Sequence, residues 1–218
     1  MLDEPSIKRE LLYQNLKELE IINTYLGGHA ISLKGLKQVW HGKHELIADI
    51  GCGGGDSVKV IAKNFGNKVQ VVGLDIKQDC IDYSRKNCET LPNAHFYLDD
   101  FMHVFSGKDK PSIVHASLFF HHFTEDQISD FLSLCQKNNA IAIINDLERN
   151  PIAYHSIKMI TKAFSKSPLV KNDAPLSVLR GFKKSEWKSI LKKAGVKKYS
   201  VTNQWAFRHL VIAYPNGQ

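Results

Sequence analysis

Short apolar runs alternate with amphipathic stretches along most of the chain, and that alternation predicts a mostly parallel sheet with helices on both faces. The runs fall at Leu46 to Ile50, Val69 to Asp75, Ala94 to Leu98, Ser112 to Ala116 and Ala140 to Ile144. Helical spacing fills the gaps at Ser57 to Phe65, Gln78 to Leu91 and Glu125 to Lys137, the last with Thr124 as its N-cap. Ala140-Ile141-Ala142-Ile143-Ile144 is too continuously apolar to be half exposed and is expected at the centre of the sheet. A further helix opens at Lys184 or Ser185, carries Trp187, Ile190, Leu191 and Ala194 on one face, and stops at Gly195. Two last strands follow, around Lys198 to Asn203 and Phe207 to Tyr214.

Two segments stand outside this rhythm. At the front, Pro5 to Leu26 places Ile7, Leu11, Leu12, Leu16, Leu19, Ile22 and Leu26 on one helical face and ends at Gly27-Gly28. A shorter helix, Ile31 to Trp40, comes next. The stretch from Arg149 to Phe182 is too long for a plain connection. It holds a helix from Ile152 to about Phe164 and then a proline-punctuated loop from Ser167 to Leu176. The chain therefore reads as a single domain, residues 1–218. It has a helical cap over residues 1–45, a core over 46–146, an insertion over 149–182, and a last helix with its strands over 183–218.

Composition narrows the class without naming it. A length of 218 residues suits one α/β domain with a sizeable core, and 43% hydrophobic with 23% charged residues excludes a disordered chain. No apolar run approaches the 18 or so residues of a membrane span, and Met1-Leu2-Asp3-Glu4-Pro5 lacks the pattern of a secretory signal, so a cytoplasmic location is expected. Cys52, Cys80, Cys88 and Cys135 form no C-x-x-C pair, as for reduced thiols and not a disulfide framework or zinc site.

Chemistry concentrates where the first strand ends, at Asp49-Ile50-Gly51-Cys52-Gly53-Gly54-Gly55-Asp56. Glycine lets the backbone turn tightly at positive φ and leaves bare peptide against a ligand. A dinucleotide fingerprint would need glycine where Asp56 stands, and neither Gly42-Lys43 nor Gly107-Lys108 completes a P-loop. What remains is D-x-G-x-G-x-G, in which Asp49 brings negative charge suited to a cationic ligand. The next strand ends in Asp75-Ile76, 24 residues after Gly51, where a carboxylate can accept both ribose hydroxyls. The third ends in Asp99-Asp100-Phe101, and the fourth leads into Ser117-Leu118-Phe119-Phe120-His121-His122.

In these four strand ends, across residues 46–146, the chain resembles class I S-adenosylmethionine-dependent methyltransferases. The resemblance implies a Rossmann-like α/β fold, a seven-stranded mostly parallel sheet with helices on both faces and a C-terminal antiparallel hairpin. It implies S-adenosyl-L-methionine as cofactor, held by Asp49, Gly51, Cys52, Gly53, Asp75 and Ile76, with Asp99, Asp100, Phe101 and Ser117 completing the site. It also implies that the front helices and the 149–182 insertion close a substrate chamber, the alternative for the front helices being simple packing on the sheet. A protein base is needed when the acceptor nucleophile is a phenol, hydroxyl or acidic carbon. His121, His122 and Asp146 are the candidates, and the alternative for the histidines is packing beneath the cofactor. Asn145, Arg149, Tyr154 and Arg180 are candidate substrate contacts, with an ion pair to Asp146 or Glu148 as the other reading of Arg149.

The stretches Asn145 to Pro151 and Leu176 to Phe182 are similar to those of bacterial methyltransferases acting on polyketide, quinone-like or other aromatic small molecules. Residues 151–218 carry 13 Lys plus Arg against Asp173 and Glu186, whereas residues 1–150 carry 16 basic and 20 acidic residues. A basic half can mark nucleic-acid binding. An asparagine-proline-proline-tyrosine motif for a flipped base is missing, however, and Asn150-Pro151-Ile152 imitates it poorly, so RNA or DNA substrates rank second. An anionic acceptor, or one delivered on an acidic carrier protein, is compatible with the charge. A non-catalytic scaffold ranks third, since Asp49, Asp75 and Asp100 are intact. No metal is expected: His41 and His44 lack acidic or cysteine companions, and Asp146 lacks a second acid after the fourth strand.

Overall fold

The apolar runs become seven strands: β1 (Glu45–Ile50), β2 (Val69–Asp75), β3 (Ala94–Leu98), β4 (Ile113–Ser117), β5 (Ile141–Leu147), β6 (Lys198–Gln204) and β7 (Arg208–Tyr214). They pair in the order β3-β2-β1-β4-β5-β7-β6, with only β7 antiparallel to its neighbours β5 and β6. This computed structural model describes residues 8–42 and 45–217. The expected helix start at Pro5 and Ile7, and the Lys43 and His44 part of the histidine turn, lie outside the described residues.

Among the described residues eight α-helices surround the sheet: α1 (Arg9–Tyr25), α2 (Gly28–Val39), α3 (Asp56–Phe65), α4 (Gln78–Asn87), α5 (Glu125–Lys137), α6 (Pro151–Phe164), α7 (Pro168–Arg180) and α8 (Lys184–Lys193). On one face, Ile31 and Leu36 of α2, Val58 and Ile61 of α3 and Ile81 of α4 bury against Ile47, Val71 and Ile143. On the other, Phe131 and Leu132 of α5 and Trp187 and Leu191 of α8 bury against Ile50, Val114, Ile144 and Val211. Two-sided burial explains the unbroken apolarity of β5. Helix α5 starts as expected at Thr124, whose Oγ1 accepts from Gln127 N–H at 3.3 Å while Gln127 Oε1 accepts from Thr124 N–H at 2.9 Å.

The structure corrects three expectations about element bounds. Residues 167–176 are not a loop: Ser167 caps α7 by accepting from Val170 N–H, and Pro168 occupies the first turn, where no N–H is required. Pro175 lies inside the same helix with its ring buried. Helix α4 ends at Asn87, four residues early, as the chain turns with Leu91 N–H on the Cys88 carbonyl. Strand β5 runs on to Leu147, so Asn145 and Asp146 belong to the sheet itself.

Helices α1, α6 and α7 lie beyond the C-terminal ends of β4 and β5. Ile22 of α1 and Leu26 at its C-cap pack with Ala153 and Ile157 of α6, Val178 of α7, Leu147 and Phe207 in a small separate cluster. Glu18 ties α1 to the α6–α7 connection by accepting from Ser165 Oγ, from Lys166 N–H at 3.2 Å and from Ser167 N–H at 3.3 Å. Arg9 ties it to α4 through Asp79, at 3.0 Å, and Asp82. α2 instead lies flat on the sheet, where Gly35 lets it approach Ile143 and Leu210 more closely than a Cβ would allow.

Trp187, fully buried between α8 and the sheet, anchors the larger core. Trp187→Ala is expected to lower unfolding free energy by about 3–5 kcal/mol in urea titration. A loss below about 1 kcal/mol would contradict its placement at the centre of the core.

Candidate active site

Between β1 and β4 the order of connections reverses, and in open α/β sheets such a crevice at the strand C-termini is where ligands bind. The chain leaves β1 through Gly51 and Gly53, both at positive φ (+64° and +51°), and enters α3. The two glycines serve different ends. A Cβ on Gly51 would lie 2.0 Å from the Phe119 ring, so that bare peptide is a seat for an aromatic wall. A Cβ on Gly53 would meet only Leu16, at 3.7 Å.

Gly53 N–H donates to Asp75 Oδ2 at 2.9 Å, and Lys77 N–H donates to Asp75 Oδ1 at 2.9 Å. The glycine turn and the end of β2 are thereby one unit. Burial raises the Asp75 pKa above its ordinary value against these donated bonds. Beside it Ile76 is 69% exposed, an apolar side chain at the mouth of the crevice. At the end of β3, Asp99 Oδ1 accepts from Asp100 N–H and pairs with His103 Nδ1 at 2.9 Å, while Asp100 Oδ1 accepts from Met102 N–H at 2.8 Å. The bond from His103 holds Asp99 below the usual carboxylate range. Phe101 stands edge-on to Phe119, with ring centroids 5.3 Å apart.

Three residues expected to face ligands face the protein. Asp49 is buried and accepts from His115 Nδ1 at 2.6 Å; His115 Nε2 meets Ser32 Oγ at 2.9 Å. Its carboxylate therefore ties β1 to β4 and α2, and burial raises its pKa in spite of His115. Cys52 donates its N–H to the Leu74 carbonyl and packs its thiol in the core, where burial pushes the thiol pKa well up. Asn145 donates to the Gly28 carbonyl at 2.8 Å and to Ser32 Oγ at 3.0 Å, which makes it an anchor of α2 and not a substrate contact. The carboxylate at the mouth of α3 is Asp56. Burial raises its pKa, but the bonds to His29 Nε2 (2.8 Å) and from Asn23 Nδ2 (3.0 Å) outweigh that and hold it low.

Beneath α1, α6 and α7 lies a largely apolar cavity of about 570 Å³. Leu19 and Ile22 of α1, Ile157 of α6 and Val178 of α7 form its roof, and Trp205 and Phe207 of the β6–β7 turn form one side. His121 and His122 line its floor, with ring centroids 4.3 Å apart. Asp146 lies behind them. Its Oδ1 meets His121 Nδ1 at 2.7 Å and accepts from Leu147 N–H at 2.8 Å, and its Oδ2 accepts from His121 N–H at 3.1 Å. Burial raises the Asp146 pKa, but the charge and bonds of His121 with the backbone donors overcome it and hold the carboxylate below its ordinary value. With Nδ1 committed to Asp146, Nε2 is the His121 nitrogen that can meet a ligand. The turn carrying this histidine starts at Leu118, a non-glycine residue at φ +54° whose N–H is held by the Asn145 carbonyl at 3.0 Å.

Of the other candidates, Arg180 lines the cavity. Arg149 turns away to pair with Glu186 of α8, neither the substrate contact nor the Asp146 or Glu148 pair expected of it. Tyr154 lies against His155, outside the cavity lining. Ser117 Oγ is buried at the end of β4 without a hydrogen-bond partner among the described residues. Asn15 and Arg208, both buried, line the cavity and were missed. Each left a signal: Asn15 sits in phase with Leu12, Leu19 and Ile22 on an apolar helical face, and Arg208 opens an apolar strand.

Residues 47–140 match the family model described as a methyltransferase domain. Solved structures are similar over nearly the whole chain. An S-adenosylmethionine-dependent methyltransferase of Aquifex aeolicus is 16% identical with a TM-score of 0.66, covering 95% of this chain and 98% of that one. The plantazolicin methyltransferase BpumL is 17% identical with a TM-score of 0.65, covering 94% and 88%. An O-methyltransferase family 2 protein of Planctomyces limnophilus is 11% identical with a TM-score of 0.60, covering 92% of this chain. The chain spans 62% of the length of the Planctomyces protein and 60% of a similar Nostoc punctiforme protein. At these identities the likeness establishes the fold. No curated protein matches in sequence.

The donor set fits S-adenosylmethionine: a carboxylate fixed beside an open glycine, an exposed apolar neighbour and acids at the end of the next strand. Asp75→Ala is expected to weaken binding of that molecule by roughly 1.5–3 kcal/mol in calorimetry, and an unchanged affinity would reject the assignment. Because the folded Asp146 pKa is depressed, its contribution to stability is complete above the unfolded value near pH 4 and is lost as pH falls further. Wild type should lose stability on acidification more steeply than Asp146→Asn in urea titrations at stepped pH. Parallel profiles would contradict the pairing.

Proposed function

We propose that the chain, in which residues 47–140 match a methyltransferase domain, is an S-adenosylmethionine-dependent enzyme that methylates oxygen or carbon of a small aromatic or polyketide-like acceptor. The observation that carries this reading is His121, paired with Asp146 behind it, on the floor of a largely apolar cavity at the ends of β4 and β5. The similar structures support a small acceptor: BpumL is in complex with a monoazolic plantazolicin analogue and the Planctomyces protein with apigenin.

Gly53, Asp75, Ile76 and the acids at 99 and 100 would hold the cofactor, which when bound supplies an electrophilic methyl group. His121 Nε2 takes the proton of the acceptor hydroxyl or acidic carbon. Asp146 keeps the Nδ1–H tautomer in place and stabilises the imidazolium that forms. The apolar roof of α1, α6 and α7 holds the acceptor in position and keeps water from competing with it. The lysines of α8 and its exit play no part in this chemistry: Lys183, Lys184, Lys188, Lys192 and Lys197 are exposed and outside the cavity lining.

Transfer of label from radioactive S-adenosylmethionine to phenols, β-dicarbonyl compounds, RNA and DNA tests the acceptor class. Transfer to a phenol or dicarbonyl is expected, and transfer to RNA alone would contradict the proposal. On the acceptor so found, His121→Ala should lower kcat by about 10²- to 10⁴-fold with cofactor affinity unchanged. An unaltered kcat would remove the histidine from the role of base.

A further inference from the structure

One cation in the cavity wall lacks the partner that burial demands. Arg208, at the start of β7, is 2% exposed and lines the cavity, yet its Nε and Nη1 have no hydrogen-bond partner among the described residues. Its charge is felt by Asp146 and Asp56 through space only, and burial pushes its pKa down to about 10 against their pull. Leaving two nitrogens of such a guanidinium without a partner is costly, because a buried charge ordinarily acquires a bonded counter-ion. A second observation points the same way. Asn15 of α1 is fully buried on the cavity wall, and neither its Oδ1 nor its Nδ2 finds a partner among the described residues. Two unsatisfied polar side chains in a largely apolar chamber, which Glu148, Asp173 and Arg180 also line, are donors awaiting a ligand's acceptor atoms.

We propose that the methyl acceptor is a carboxylic acid, whose carboxylate is received by the Arg208 guanidinium with Asn15 Nδ2 as an additional donor. The inference rests on the methyl-transfer reading and deepens it. A planar fork of N–H groups matches a carboxylate in shape, and one cation balances one carboxylate charge. The carboxylate could instead come from the methionine portion of the cofactor. Position favours the acceptor: Arg208 shares its cavity with His121 and His122, whereas Gly53 and Asp75 are absent from the lining. The acceptor thus has an apolar body against Leu19, Ile22 and Phe207, an acidic end at Arg208 and a nucleophile at His121.

The test is calorimetric titration of the full chain, with and without S-adenosylhomocysteine, using benzoate, 4-hydroxybenzoate and 1-naphthoate, each against its primary amide. Wild type should bind at least one acid about tenfold or more tightly than its amide, a preference that Arg208→Lys keeps in part and Arg208→Met reduces to about twofold or less. Equal affinities of acid and amide, no acid binding at about 10 mM, or a full preference in Arg208→Met would overturn the proposal. So would a tenfold or greater loss of S-adenosylmethionine affinity in Arg208→Met with the acid preference intact, since Arg208 would then serve the cofactor. If Arg208→Met does not unfold cooperatively, Asn15→Leu decides: acid affinity should fall about threefold or more with amide affinity held, and an unchanged acid affinity counts against the assignment. Wild type that prefers acids but binds no S-adenosylmethionine would keep the anion site and overturn methyl transfer instead.

Discussion

A carboxylate at the buried end of a strand must be met by donors or lose its charge, and the architecture of this site follows from how Asp146 meets that condition. Three N–H groups converge on it, from the His121 ring, the His121 backbone and Leu147. The backbone bond fixes the turn after β4 against the end of β5, and Leu118 accepts a left-handed conformation so that the turn can be made. The ring bond then fixes the tautomer and direction of His121. Asp49 is met two strands away by His115, and the chain His115–Ser32–Asn145 carries that contact into α2. Buried acids at two strand ends therefore hold both the floor of the chamber and the helix that flanks it.

The roof is held by different means. α1 has few residues in the main core, and it is tied at its start to α4 by Arg9 and in its middle to the α6–α7 connection by Glu18. Burial raises the Glu18 pKa, yet the bonds from Ser165, Gln14 and the backbone at 166 and 167 bring it below its ordinary value. Polar ties at the rim and apolar contacts inside suit an element that must cover a ligand without merging with the sheet. A chamber of about 570 Å³ lies within the size range of small-molecule sites.

The sheet was legible in the sequence because two-sided burial leaves no choice but apolar runs, and the cradle because positive φ at 51 and 53 demands glycine. The order of strand-end acids carried the cofactor reading. Orientation was the part that spacing could not supply. Asp49 and Asp75 both end strands, but only the packing of His115 beneath one and of Gly53 N–H beside the other tells the fully buried acid from the partly accessible one. Arg149 is likewise decided by Glu186, which stands 37 residues away in the chain. The helix at 168–180 was hidden because its prolines fit a capped first turn and a buried interior position, both of which depend on neighbours. Arg208 and Asn15 were visible only as polar residues in apolar phase, a pattern that acquires meaning once the cavity is known.

The central claim is that the crevice at the ends of β1 and β2 is built for S-adenosylmethionine. Isothermal titration of the full chain with that molecule tests it most directly. One equivalent binding with a Kd of about micromolar or tighter is the predicted result; no heat of binding at about millimolar ligand would contradict the account.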